Sequence, residues 1–586
     1  MDQIHRTVRI PALRGKILDR NQLVLAENKP SYNINLYLEE LRPSFTYEYT
    51  NSVKKRWLAE NPQRPLTSEI RKNLERESRY RAVSNVVYRV GVALQTSLVL
   101  DEKKFHAHYT ESRSRPLTTL QNLSSLQIAR FLERKEISPG LDLETQPVRF
   151  YPHTNLAAHV LGYLKRDDSS KENEEAFVNY RMNDFKGVVG IEATFDAELR
   201  GRAGVKSVLV NSQGYRESEN IWTPAGPGKN VILTLDFAIQ QATENAFHST
   251  GVNTFGAALV LDARNGNILA LASLPSFDPN FFLGRIPIAE WNQLNDPKIR
   301  PLINRATKED YPPGSIFKIV VALAGLESGT LNPAEIFQSE GEYRVSPRAK
   351  PIHDLAAPGP YDFRRAFIKS SNSYFIEHGL RAGIEKILEM GARFHLGEKT
   401  EIPLNQETAG LFLNSPTEKK RYFPGESWTR GDTANLSIGQ GLIDVTALQM
   451  AVMTAAVCNG GKIFRPRLVH SVVSPEILQN EAPQIFPIEL RGELNVQPKN
   501  LEIVKEAMLG DVADAEGTAF AAFHEADKKT PLLPTMRIGG KTGTAQKRAG
   551  SKDYITWFTS FGFTDSISAN PAREPAYVVV VMVEHG

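Results

Sequence analysis

The run from Ile316 to Leu326, IFKIVVALAGL, constrains this chain more than any other stretch. Apart from Lys318 it is apolar nearly all round, which marks a helix buried on every side rather than one lying on a surface. Other elements must therefore wrap it. Tyr311-Pro312-Pro313-Gly314 precedes it and cannot continue a helix backwards, so the helix is expected to begin close to Ser315. Gly329 stands where a C′ glycine closes a helix. A chain of 586 residues with 41% hydrophobic content is long enough for several domains and for a core that encloses such a helix.

Lys318 follows Ser315 by three positions, and helical geometry puts such a pair on one face. Burial disfavours an ammonium, so the lysine pKa should fall. A neutral amine beside a serine hydroxyl is a base beside a nucleophile. The helix N-terminus adds partial positive charge where an oxyanion would form. The spacing alone is a weak signal, because serine caps helices and lysine follows it by chance. Ser52-Val53-Lys54-Lys55 repeats the spacing in a polar, surface-like segment without an apolar helix.

Charge and composition remove other functions. A net charge of +3 is too small to argue for nucleic acid or an acidic membrane surface. The single cysteine, Cys458, rules out an intrachain disulfide framework and reads as a buried thiol at a helix end. No run reaches the ~18 consecutive apolar residues of a membrane span. The start Met1-Asp2-Gln3-Ile4-His5-Arg6 lacks the regions of a signal peptide.

Residues 1 to about 230 are polar and mixed. Arg14 to Arg20 and Leu23 to Ala26 read as a turn between short strands, and charged amphipathic helices, such as Ser68 to Ser78 and Ser124 to Lys135, follow. Lys165 to Asn183 is charged and poor in large apolar residues, which reads as a mobile loop. After the turn-rich Ala225 to Asn230 the composition changes. Ala257 to Leu261 and Asn267 to Ser273 are apolar strands joined around Asn265-Gly266, a hairpin signal. Met536 to Ala545, Tyr554 to Phe563 and Ala576 to Glu584 are three strands in succession. Two early strands and three late ones, with helices between, imply an α+β arrangement of one sheet flanked by helices.

Two further segments carry chemistry. Ser370-Ser371-Asn372 lies between helical stretches, where Ser371 or Asn372 would cap the helix starting near Ser373. A second hydroxyl near Lys318 could relay a proton, and an asparagine amide could hold both the lysine and a substrate carbonyl. Lys541-Thr542-Gly543-Thr544 falls on a strand, where alternation puts Lys541 and Gly543 on one face and Thr542 and Thr544 on the other. A cation and two hydroxyls suit a carboxylate, and a free strand edge suits a peptide.

Ser-x-x-Lys, Ser-x-Asn and Lys-Thr-Gly in this order form the signature of penicillin-binding proteins and class A β-lactamases. The chain resembles the class B penicillin-binding proteins, and among them the elongation-type penicillin-binding protein 2 group. Arg14 to Arg20, Arg149-Phe150-Tyr151-Pro152 through Tyr163, and Gly190-Ile191-Glu192 through Gly201 are similar to the three motifs of that family's N-terminal pedestal. Tyr311-Pro312-Pro313-Gly314-Ser315, Gly431-Asp432-Thr433 and Ile438-Gly439-Gln440-Gly441 are similar to elongation-type motifs. Ile316 departs from the threonine often found there, and its side chain is expected to point off the catalytic face.

The resemblance implies an elongated N-terminal pedestal (dimerisation-type) domain over residues 1–230. It implies a C-terminal penicillin-binding transpeptidase domain over residues 231–586, with an antiparallel five-stranded sheet flanked by helices. It implies a peptidoglycan D,D-transpeptidase of cell-wall elongation that needs no metal or organic cofactor and is inhibited by β-lactams. Ser315 would attack the penultimate D-alanine carbonyl, Lys318 take its proton, Ser370 relay a proton to the leaving amine, and Asn372 orient Lys318 and the substrate amide. Lys541 would support the proton network, and Thr542, Gly543 and Thr544 line the substrate, the two threonines on its carboxylate. Backbone N–H groups of Ser315 and Thr544 would form the oxyanion hole. The implied partners are stem peptides, a SEDS-type glycan polymerase and a rod-complex scaffold, at the periplasmic face of the inner membrane. An N-terminal membrane anchor and a further C-terminal helix are implied outside this sequence. A β-lactam or D-Ala-D-Ala hydrolase and a non-catalytic penicillin-binding scaffold or sensor remain the alternatives.

Overall fold

The apolar run becomes the centre of the molecule. In the computed structural model, which describes residues 4–10, 12–133, 138–166, 178–181, 185–211, 215–249, 254–284, 286–475, 481–527, 529–547, 553–564 and 577–584, the α-helix Lys318–Glu327 is buried from Lys318 to Leu326. It begins later than the sequence suggests. Gly314–Phe317 is a 3-10 turn, entered from Pro312-Pro313 through Gly314 at φ +56, and such tight turns are common where helices start. Gly329, at φ +71, follows the C-cap Ser328 as expected. Ile316, Phe317, Ile319, Val320, Val321 and Leu323 are essentially fully buried. At about 1.5–3 kcal/mol each they contribute on the order of 10 kcal/mol, more than the several kcal/mol that burying Lys318 costs.

The turn Gly314–Phe317 packs against a five-stranded antiparallel sheet ordered Ile268–Leu274, Phe255–Asp262, Tyr577–Glu584, Tyr554–Thr564, Met536–Gln546, and the helix after it packs against the helices Asn372–Ala382, Ile384–Arg393 and Pro498–Ala513. The first two strands are the anticipated hairpin, with Gly266 at φ +74. The last strand returns to sit beside them, which leaves Met536–Gln546 as an edge. Along Tyr577–Glu584, Val578, Val580 and Met582 turn into the core. There they meet the wholly buried helix Ala447–Cys458, which carries Cys458. Helix Phe237–His248, capped by Asp236, sets Phe247 against Ala258, Ala272 and Leu274 on the opposite face.

The N-terminal part is tied into this body by a second sheet. Asn230–Leu233 pairs with Ile17–Leu18 on one side and with Val469–Val473 on the other. A boundary at 230/231 therefore falls inside a strand that both parts share. The three separated pedestal motifs converge on one buried carboxylate. Glu192 accepts hydrogen bonds from Arg14 Nε at 2.7 Å, Arg149 Nε at 2.7 Å and Tyr151 Oη at 2.9 Å. Burial pushes the Glu192 carboxyl up, but Arg14 and Arg149 hold it below its ordinary value.

Farther out, Ser68–Leu94 is one 27-residue helix, longer than its polar first half suggests. It runs from the Thr67 cap to Gln95, at φ +55, and buries Leu74, Val83, Val86, Val87, Val90 and Leu94 on one stripe. The loop expected over Lys165 to Asn183 is in part a strand. Val178–Arg181 pairs in parallel with Ile4–Ile10, while residues 167–177 and 182–184 lie outside the described residues.

Candidate active site

The turn that carries Ser315 is clamped from both sides. Tyr311 exchanges backbone hydrogen bonds with Val445, its N–H to the Val445 carbonyl at 2.9 Å and its carbonyl from the Val445 N–H at 2.8 Å. Gly314 N donates to Gly439 O at 2.9 Å. From the sheet, Trp557 Nε1 donates to Pro312 O at 3.0 Å, and Tyr311 Oη donates to Glu584 Oε1 at 2.7 Å. A Cβ on Gly314 would lie 2.6 Å from Thr544 O, and one on Gly543 would lie 3.0 Å from both Pro313 O and Ile316 Cγ2. The two glycines thus let the turn and the edge strand meet backbone to backbone. Ile316 is fully buried against that strand.

Lys318 is completely buried. Its Nζ donates to Ser370 O at 2.7 Å and to Asn372 Oδ1 at 2.8 Å, and lies 3.3 Å from Ser370 Oγ. Asn372 Nδ2 donates to His353 O at 3.1 Å, which fixes the amide with its oxygen towards the lysine. Burial, and then the charge of Lys541, push the Lys318 ammonium well below the ordinary lysine value, against the opposing charge of Asp354. Three oxygens thus surround the amine, two that only accept and the Ser370 hydroxyl, which can accept or donate. Among the described residues the Ser315 hydroxyl, 6% exposed, has no hydrogen-bond partner.

Ser370 holds its place through an unusual backbone. At φ +55 it adopts the left-handed region, which turns its carbonyl onto Lys318 and ends the helix Phe363–Ile368. Ser371, rather than Asn372, is the cap of the next helix, Asn372–Ala382. The organiser of this loop is Asp354, which sequence reasoning missed. Its carboxylate accepts from Ser371 Oγ at 2.7 Å, Asn372 N at 2.6 Å and Ser373 N at 2.9 Å. Burial pushes the Asp354 carboxyl up, but these bonds hold it below its usual range.

Lys541 is buried as deeply as Lys318. Its Nζ donates to Thr542 O at 3.1 Å and lies 5.6 Å from the Phe367 ring centroid. Burial lowers its pKa, opposed by the charge of Asp511. Alternation holds along the strand: Lys541, Gly543 and Ala545 face inwards, Thr542 is half-buried and Thr544 is exposed. Asp511 and Thr518, like Asp354, are supports that the sequence did not disclose, with Thr518 Oγ1 2.6 Å from Thr542 Oγ1. The structure therefore gathers all three motifs at the N-terminal end of the central helix. By contrast Ser52, with Lys54 and Lys55, lies among the helices of the N-terminal part.

The arrangement has the parts of a serine acyl-transfer site: a hydroxyl unbonded among the described residues, a buried lysine with a lowered pKa, a second hydroxyl, and an open strand edge. Comparison with known proteins agrees. Residues 256–586 match the penicillin binding protein transpeptidase domain family, and residues 9–233 match the penicillin-binding protein dimerisation domain family. The chain is 30% identical over 495 residues to the peptidoglycan D,D-transpeptidase MrdA of Haemophilus influenzae, covering 81% of this chain and 72% of that protein. Among solved structures, the penicillin-binding protein PBP2 of Helicobacter pylori in complex with MreC superposes with a TM-score of 0.72 at 23% identity, over 100% of this chain and 95% of that one. A peptidoglycan synthase complex described as coordinating polymerization and crosslinking gives a TM-score of 0.67 at 26% identity, over 100% and 89%.

Proposed function

Because the chain belongs to the class B penicillin-binding proteins, in the MrdA-like elongation group of peptidoglycan D,D-transpeptidases, we propose that Ser315 is the nucleophile by which it cross-links stem peptides. The observation that carries this reading is the position of Lys318 Nζ, buried between Ser370 and Asn372 in the turn after Ser315. Lys318, neutral, takes the Ser315 proton as the hydroxyl attacks the penultimate D-alanine carbonyl. The N–H groups of Ser315 and Thr544 receive the developing oxyanion. Ser370 passes a proton from Lys318 to the departing D-alanine amine, Asn372 holds Lys318 and the substrate amide, and Lys541 sustains the proton network. The stem peptide lies along the free edge of Met536–Gln546, with its carboxylate at the Thr542-Gly543-Thr544 end, where a β-lactam carboxylate would also sit. An amine from a second stem peptide then resolves the acyl-enzyme.

The proposed division is a pedestal of residues 1–230 and a transpeptidase domain of 231–586. Since the Helicobacter pylori relative was solved with MreC, we assign the pedestal of this chain a rod-complex scaffold partner, and from the family a SEDS-type polymerase. Among the described residues no helix is long and apolar enough to cross a membrane. The proposed location is the periplasmic face of the inner membrane.

Labelling with a fluorescent penicillin tests the nucleophile. The wild-type chain should bind one equivalent covalently and keep it, while Ser315→Ala should not label. Covalent labelling of the alanine variant would refute the assignment. Turnover of many equivalents by the wild type would point to a hydrolase instead.

A further inference from the structure

A cavity of about 260 Å³ lies beside the shared strand Asn230–Leu233, with Arg20 from the N-terminal part on one wall and Asn267 and His470 on the other. Arg20 stands on the turn between Ile17–Leu18 and Val24–Leu36. The acid of that turn, Asp19, is fully buried and committed to backbone, accepting from Asn21 N at 2.8 Å, Leu23 N at 2.7 Å and Phe237 N at 3.0 Å. Arg20 is exposed and has no ion pair among the described residues. Arg467, bridged through its backbone to Asn267, makes one side-chain hydrogen bond among the described residues, a long one from Nη1 to Asn267 Oδ1 at 3.4 Å. Its Nε is buried without a partner. His470 has Nδ1 3.1 Å from Ser471 Oγ, and its Nε2 has no partner among the described residues. Burial lowers the Arg467 pKa, and no carboxylate offsets the burial. Burial, then the charges of Arg467 and Arg20, lower the His470 pKa as well. The three groups thus act on one another with no acid between them, and a bound anion would relieve that repulsion.

We propose that this cavity binds a phosphate group between Arg20 on one side and Arg467, His470 and Asn267 on the other, so that the anion fastens the N-terminal part to the part that follows it. A planar carboxylate is filled by one guanidinium fork, whereas a tetrahedral phosphate has oxygens for donors that arrive from opposite walls. Asn267, whose Oδ1 accepts from Arg467, keeps Nδ2 as a further donor. The site lies apart from Ser315 and its neighbours and does not depend on the transpeptidase reading.

Isothermal titration of inorganic phosphate into the full chain, with ionic strength held constant by chloride, tests the site. The wild type should bind one equivalent. Arg20→Gln and Arg467→Gln should each weaken binding by about tenfold or more, the scale of one lost charge-assisted hydrogen bond. Lys462→Gln removes an exposed cation that does not line the cavity, and it should hold the affinity within about twofold. Arg20 is exposed on a turn, so its variant keeps the fold whether or not Arg467→Gln does. Sedimentation with vesicles separates the sources of the phosphate. Phosphatidylglycerol vesicles that carry down the wild type but not Arg20→Gln would identify a lipid headgroup. Binding of inorganic phosphate without vesicle binding would identify a free phosphate. Binding of neither, or phosphate held by Arg20→Gln as tightly as by the wild type, would overturn the proposal.

Discussion

Glu584 ties the sheet to the turn that carries Ser315, and replacing it with glutamine should loosen both. Its carboxylate accepts from Tyr311 Oη at 2.7 Å, from the buried Arg305 Nε at 2.8 Å and from Lys547 Nζ at 3.1 Å. Burial pushes the carboxyl up, but the hydrogen bonds from Tyr311 and Arg305 and the charges of Arg305 and Lys547 bring it from 4.5 down to about 2. A carboxyl depressed on folding adds stability that is fully present above its unfolded value. That stability is lost as pH falls through the folded one. The drop corresponds to about 3 kcal/mol at neutral pH. Breaking a buried pair by removing one partner costs about 3–5 kcal/mol, so two independent routes meet at the same figure. Urea denaturation of wild type and Glu584→Gln should therefore differ by about 3 kcal/mol at pH 7 and by under about 1 kcal/mol near pH 2.5. Penicillin acylation should slow as well, because Tyr311 leads into Ser315. A difference that stays constant with pH, or a glutamine variant as stable as wild type at pH 7, would refute the reasoning.

Two further outcomes follow from the same geometry. Lys541 adds to the burial that lowers the Lys318 ammonium, so Lys541→Met should raise the Lys318 pKa. The acid limb of the acylation rate against pH should then move to higher pH, and an unmoved limb or a shift to lower pH would deny the coupling. A Cβ on Gly543 would sit 3.0 Å from Pro313 O and Ile316 Cγ2, pressing the Ser315 turn off the edge strand. Gly543→Ala should slow acylation about tenfold or more, while a thermal melt moves little; acylation at the wild-type rate would show that the contact yields freely.

What could be read from the chain was what depends on short range. The hairpin at Asn265-Gly266, the three late strands and the apolar helix follow from turn chemistry and periodicity within a few residues. The eight proposed site residues, Ser315, Lys318, Ser370, Asn372, Lys541, Thr542, Gly543 and Thr544, stood out because each group lies in one local motif. Their supports did not stand out, because a carboxylate that accepts from a loop 17 to 19 positions away leaves no spacing to recognise, as with Asp354. Asp511, Thr518 and Glu584 are hidden for the same reason, and Glu584 meets Tyr311 from 273 positions away. The start of the helix at Lys318 rather than Ser315 was missed because the 3-10 turn is set by the neighbouring strand and by Gly439, not by the propensities of Gly314 to Phe317.

The site also shows where local rules give way. Two lysines are wholly buried within reach of each other's charge, and Ser370 occupies a left-handed backbone that costs a non-glycine residue about 1–2 kcal/mol. Neither lysine has a carboxylate within ion-pair distance among the described residues. Asp354 and Asp511 each stand behind it, bonded to the loop or hydroxyl that touches the motif. A direct ion pair would hold Lys318 as an ammonium and remove the base. A counter-charge one layer back stabilises the loop, yet leaves desolvation free to lower the Lys318 ammonium. Such a site is destabilising on its own terms and persists only inside a rigid surround. The fully buried central helix, the glycine contacts on both sides of the turn and the Tyr311–Glu584–Arg305 tie provide that surround. The same burial that encloses the run from Ile316 to Leu326 also lowers the Lys318 ammonium, which is what the proposed base requires.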